Sequence, residues 1–163
     1  MSRTGSPSSV ARPVVWLVVP AFGRLDVARC TFPALRWTCD QAGEAGVEVE
    51  VVVVADDGNL RIAAEHGFGT VRVDNRWLGR KWNEGIEFAC AEGVDYVMPV
   101  GSDDLVDPRF VVEHVAAARE GGADRVGCST MVATVAPDGS ELVELRVRYA
   151  GGMGVRLIPT RLL

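Results

Sequence analysis

The stretch "VEVEVVVVADDGN", residues 47–59, begins as an alternation of Val and Glu and becomes an unbroken apolar run. Alternation marks a strand with one wet face, and a continuous β-branched run marks a strand covered on both faces. These residues therefore predict a strand that enters the middle of a sheet. It ends in two adjacent carboxylates, Asp56 and Asp57, followed by a Gly-Asn turn. A second stretch repeats the pattern. "DYVMPVGSDDLVDP", residues 95–108, carries a strand over 94–101 and then Asp103 and Asp104. Adjacent carboxylates repel each other and are costly to bury, so two such strand ends require something that offsets them.

Working outward, "PVVWLVVPAF" (13–22) is another apolar, β-branched run and reads as a buried strand. Arginines precede it, as in a signal peptide, but the run is short and cut by Pro20, which fits a strand better. Residues 25–46 have helical spacing through Leu25, Ala28, Phe32, Leu35 and Cys39, and Pro33 predicts a kink or break near Thr31. A short helix over 60–68, a strand over 69–75, a helix over 78–93 and a helix over 107–122 follow. Asp107 suits the N-cap of the last helix and Pro108 its first turn. Residues 124–149 read as two strands around a "PDG" turn, and "AGGMG" (150–154) as a backbone-close loop.

Strands alternating with helices at this spacing predict an α/β domain with a mainly parallel sheet. Residues 1–12, rich in Ser, Arg and Gly, read as a disordered tail, and 13–163 as one domain. Ligands of such sheets bind beyond the carboxyl ends of the strands, so both Asp-Asp pairs are expected on one edge, in a crevice. The net charge of −5 argues against a nucleic-acid partner, and no apolar run approaches the ~20 residues of a membrane span. Cys30, Cys39, Cys90 and Cys128 form no CxxC pair and read as small thiols in a reducing cytoplasm. His66 and His114 stand alone in helical patterns and read as boundary residues.

Asp103 and Asp104 have two readings. An Asp at a strand end can hold the following turn, but Asp107 already serves as the helix cap. The functional alternative is a hard divalent cation held by carboxylate oxygens. Asp56 and Asp57 could hold the turn before Gly58, or accept hydrogen bonds from a ribose hydroxyl or base N–H. Neither GxGxxG nor GxxxxGK[ST] is present. Arg76, Arg80 and Lys81 instead gather at a helix start, either as a solvated surface or as anion partners.

Four segments in order resemble the family 2 nucleotide-sugar glycosyltransferases of GT-A fold: "LVVPAFGR" (17–24), "VVVVADDGN" (51–59), "NRWLGRKWNEGIEFA" (75–89) and "YVMPVGSDDLVDP" (96–108). The resemblance implies a Rossmann-like, three-layer α/β/α domain. It would bind a nucleotide-diphosphate sugar through manganese or magnesium and transfer the sugar to an acceptor hydroxyl. Pro20 and Ala21 would line the base pocket, Asp56 or Asp57 would bind uracil or ribose, and Asn83 and Lys81 would lie by the donor. Asp103 would hold the metal, with Asp104 beside it. The chain departs from the family pattern where Gly101 replaces the first Asp of DxD and Trp82 replaces an Arg. The family's acidic catalytic base lies in a later segment, so the acceptor part is expected to be absent or truncated here, and Asp138, Glu141 and Glu144 have no spacing that marks them as that base. A truncated, non-catalytic nucleotide-sugar-binding module and a sugar nucleotidyltransferase are the rival readings. "PAFGRLDVARC" matches the Gly-rich opening of the nucleotidyltransferases poorly.

Overall fold

The structure, a computed structural model, describes residues 11–56, 58–121, 126–127, 130–135, 143–148 and 156–163. The expected tail, apart from residues 11 and 12, lies outside the described residues. So do Asp57, Cys128, the "PDG" turn with Asp138, Glu141 and the "AGGMG" loop.

The chain runs β1 (Val14–Pro20), α1 (Leu25–Glu44), β2 (Glu48–Ala55), α2 (Gly58–Glu65), β3 (Gly69–Arg72), α3 (Leu78–Ala91), β4 (Tyr96–Pro99), α4 (Pro108–Gly121), β5 (Val126–Gly127), β6 (Thr130–Val135), β7 (Val143–Arg148) and β8 (Arg156–Pro159), ending in a 3-10 turn at Thr160–Leu162. The main sheet has the order β3-β2-β1-β4-β8-β5. β3, β2, β1 and β4 are parallel, and β8 is antiparallel to both of its neighbours. β6 and β7 pair antiparallel as a separate two-stranded sheet, in register from Thr130 opposite Arg148 to Val135 opposite Val143.

The apolar runs are explained by this placement. Side chains alternate across a strand. Val15, Leu17 and Val19 of β1, with Val49, Val51 and Val53 of β2, join a core with Phe32 and Leu35 of α1, Ile62 of α2 and Val111 and Val115 of α4. Val18, Val52 and Val54 face the other way, into a core completed by Ala89, Trp82 and Ile86 of α3. The result is the three-layer α/β/α, Rossmann-like arrangement expected from the alternation of elements. After β1 the chain builds outward through β2 and β3, and then returns to β1's other side with β4. Such a reversal opens a crevice at the carboxyl ends of the two strands that flank it, here β1 and β4.

Two sequence expectations are refined, and the C-terminal run gains a place. α1 runs unbroken from Leu25 to Glu44 through Pro33. Pro33 and Arg29, whose carbonyl loses its partner, both lie on the exposed side of the helix, where water can satisfy that carbonyl. Meanwhile Phe32, Leu35 and Cys39 hold the opposite side in the core. The Gly-Asn pair after Asp57 is the first turn of α2 rather than a free turn. Asn59 is buried there and donates through Nδ2 to the Gly23 carbonyl at 3.0 Å. The C-terminal "RLIP" run inserts antiparallel between β4 and β5.

The Asp107 cap is present as expected. Its Oδ1 accepts the Arg109 N–H at 2.8 Å, and hydrogen bonds from the Arg109 side chain and backbone hold its carboxyl below the usual range.

α3 lies close on the sheet because Gly85 has no side chain. A Cβ there would stand 2.5 Å from Val18 Cγ1 and 2.7 Å from Val54 Cγ2. Gly85→Ala would gain about 1 kcal/mol of helix propensity, but overpacking against two central strands costs about 1–3 kcal/mol. We expect Gly85→Ala to unfold at a lower urea concentration than the parent. A raised midpoint would show that α3 is not pinned at this contact.

Candidate functional site

β1 to β4 are parallel, so Pro20, Ala55, Arg72 and Pro99 end on one edge of the sheet. α1, α2, α3 and α4 each begin where the chain leaves that edge. Each helix start carries roughly half a positive charge. The carboxylates that collect here, Asp56, Asp74, Asp103 and Asp104, therefore sit in a field that offsets their mutual repulsion.

Lys81 forms the floor. It is 2% exposed, and its Nζ donates to the Ala21 carbonyl and to Asn75 Oδ1, both at 2.7 Å. These bonds join the loop after β1, the loop after β3 and α3. Phe22, 58% exposed, covers the ammonium with its ring centroid 5.5 Å away. Pro20 and Ala21 are buried beneath, with Ala21 N–H extending the sheet to the Val54 carbonyl at 3.0 Å.

Asp56 stands at the tip of β2. Its Oδ2 accepts the Asn75 N–H at 3.1 Å, and Arg72 donates to its backbone carbonyl at 3.0 Å. Its Oδ1 is buried and has no hydrogen-bond partner among the described residues. Buried acceptors of this kind are uncommon, and each calls for an explanation.

The turn after β4 contains the other acidic pair. Asp104 folds back, its Oδ2 accepting the Gly101 N–H at 2.8 Å, while its own N–H reaches the Gly101 carbonyl at 3.1 Å. Asp103 Oδ2 pairs with Arg24 Nη1 at 3.0 Å, and Arg24 Nη2 donates to Ser102 Oγ at 3.1 Å. Thr31 and Thr38 of α1 clamp this loop, donating to the carbonyls of Ser102 at 3.0 Å and Val106 at 2.6 Å.

The expected site residues thus divide. Pro20, Ala21, Asp56 and Lys81 come together on one side of the crevice, and Asp103 and Asp104 lie in the turn on the other. Asn83 does not join them. It is exposed, roughly 200° round α3 from Lys81. Asp57 lies outside the described residues. Sequence reasoning assigned no role to Arg24, Asn59 or Asn75. Asn75 and Arg24 stand within the quoted segments, but nothing in their spacing shows that one receives a buried ammonium and the other a carboxylate.

A divalent cation fits this turn poorly as it is built. One oxygen of each Asp is already engaged, and among the described residues no three His, Cys, Asp or Glu side chains gather as a metal site. Gly101 supplies no third carboxylate, and Asp104 Oδ2 lies 2.7 Å from where a Cβ at that position would stand.

A cavity of about 690 Å³ lies elsewhere, between the end of α1 and the starts of β2 and β3. It is lined by charges including the half-buried Arg36 and the exposed Asp40 and Glu48. It opens at the amino ends of the strands, away from the helix starts, so the carboxyl edge is the better candidate.

No family model and no curated protein matches the sequence. Solved structures do match the fold. TarS from S. aureus (residues 1–349) superposes with a TM-score of 0.57 at 20% identity over 71% of this chain and 34% of that one. The same protein has been solved with UDP and with UDP-GlcNAc. CMP:2-keto-3-deoxy-manno-octonic acid synthetase complexed with CTP superposes with a TM-score of 0.57 at 16% identity over 92% of this chain and 75% of that one. These matches show the fold, which is Rossmann-like α/β/α and GT-A-like. The chain spans about a third of the TarS structure it matches. No helix among the described residues is long and apolar enough to cross a membrane.

The buried ammonium generates a prediction. Lys81→Met keeps the apolar stem but leaves the Ala21 carbonyl and Asn75 Oδ1 without their charged donor. Hydrogen bonds to charged groups are worth ~1.5–3 kcal/mol, so a stability loss of about 2–3 kcal/mol is expected in urea denaturation. An unchanged midpoint would show that these bonds do not hold the floor together.

Proposed function

We propose that the chain binds a nucleotide-diphosphate sugar in the crevice at the carboxyl edge and serves as the donor-binding part of a glycosyltransferase. The buried, unpartnered Asp56 Oδ1 carries this reading. A base N–H or ribose hydroxyl supplies the missing donor, and both belong to a nucleotide. Pro20 and Ala21 form the wall against the base. Lys81 keeps that wall and the Asn75 loop in place, and the helix starts face the diphosphate. The UDP and UDP-GlcNAc complexes of TarS, a protein of the same fold, support this ligand class. Sugar transfer would additionally need a carboxylate to deprotonate the acceptor hydroxyl, and none of the described residues is assigned that role. The acceptor is left unassigned.

A second reading, a sugar nucleotidyltransferase, is favoured by one observation: the match to the CTP-complexed synthetase extends over 92% of this chain. Incubation with a nucleoside triphosphate and a sugar phosphate would release pyrophosphate in that case. With a nucleotide sugar and an acceptor, release of nucleoside diphosphate marks the transferase.

Calorimetric titration with UDP-, GDP- and dTDP-linked sugars tests binding. Asp56→Asn keeps an oxygen for the Asn75 N–H and replaces the other acceptor with a donor. It is expected to weaken binding by about tenfold or more, in line with ~1.5–3 kcal/mol for a charged hydrogen bond. Equal affinity in parent and variant would remove Asp56 from the donor site.

A further inference from the structure

The turn after β4 combines a metal expectation that its residues do not fit with a cation that the chain itself supplies. We infer that the diphosphate of the donor is held without a metal ion, by the Arg24 guanidinium that Asp103 and Ser102 orient. The inference rests on the nucleotide-sugar reading above.

Three observations support it. First, Asp104 and Gly101 close on each other. The carboxylate accepts the glycine N–H at 2.8 Å, and it fills the space a side chain at 101 would need. The turn thus closes on a glycine that supplies no third carboxylate, and one oxygen of Asp104 is spent on the Gly101 N–H. Second, Asp103 already has a cationic partner. Arg24 Nη1 lies 3.0 Å from its Oδ2, so a divalent ion on that carboxylate would stand beside a fixed positive charge. Third, Arg24 is held in an unfavourable backbone conformation. Its φ of 42° and ψ of 48° are left-handed, and it is the one non-glycine with positive φ among the described residues. A glycine would adopt this conformation more easily.

The strain has a consequence for position. Arg24 immediately precedes α1, which carries no side-chain N-cap bond of its own. Its side chain crosses to the loop after β4, and Thr31 and Thr38 fix that loop to the same helix. The guanidinium thus spans the crevice mouth between the ends of β1 and β4. Two of its five N–H groups are taken by Asp103 and Ser102, and the side chain is 54% exposed. The planar fork suits two phosphate oxygens at once. Asp103 then acts as a positioning residue for Arg24, and not as a metal ligand.

Calorimetry with UDP-GlcNAc, in EDTA and in manganese, tests this with the parent, Arg24→Gln, Arg24→Gly and Asp103→Ala. The parent is expected to bind with the same Kd, within about twofold, in both buffers. Both Arg24 variants should weaken binding at least tenfold in EDTA, and Arg24→Gly should remain as stable as the parent in urea, which separates lost binding from lost folding. Binding that requires manganese, disappears in Asp103→Ala and persists in Arg24→Gln would overturn the inference and leave the nucleotide-sugar reading standing. No binding of UDP-GlcNAc, UDP, GDP-mannose or dTDP-glucose in either buffer would overturn both.

Discussion

One ammonium group, Lys81 Nζ, holds the crevice floor together. It is buried against the sheet and bonds at 2.7 Å to both the Ala21 carbonyl and Asn75 Oδ1. A buried charge without partners would be costly, so these loops are constrained to bring their oxygens to it. The Asn75 backbone in turn donates to Asp56, which fixes the carboxylate whose other oxygen has no partner among the described residues. The position of Asp56 thus depends on a chain of contacts that begins with a side chain on α3, and α3 reaches the sheet only because Gly85 lets it approach.

The same edge explains how paired carboxylates persist at strand ends. Parallel strands joined by helices place every helix start beside the strand tips. Those starts attract anions, so acidic side chains gather where the helix field is positive. The individual carboxylates are also occupied locally: Asp56 by Asn75, Asp103 by Arg24 and Asp104 by Gly101. Acidic pairs at the ends of apolar runs can therefore be built into the turns themselves, without an ion to explain them.

Much of the fold was legible in the sequence because hydrophobic period and strand burial are local properties. The change from alternation to a continuous run in residues 47–55 corresponds to a strand whose first residues are half-covered and whose last are covered on both faces. Of the kink or break expected at Pro33, the break is absent because the backbone penalty depends on exposure, which is a tertiary property. The antiparallel place of β8 between β4 and β5 was not legible, because a four-residue strand takes its partners from tertiary packing. In the site, the acidic tips were visible as residue types. Their partners were not, since Arg24 meets Asp103 across 79 positions and a left-handed φ has no signature in an arginine. Asn83 was carried over by motif, and the helical period turns it away from Lys81.

The central claim is that a nucleotide binds at the carboxyl edge, and amide chemical-shift mapping during titration with UDP tests it most directly. The account predicts the largest shifts at Ala21, Phe22, Asp56, Asn75, Gly101 and Ser102. Shifts centred on Asp40, Glu48 and Gly67, around the cavity at the opposite ends of the strands, would contradict it.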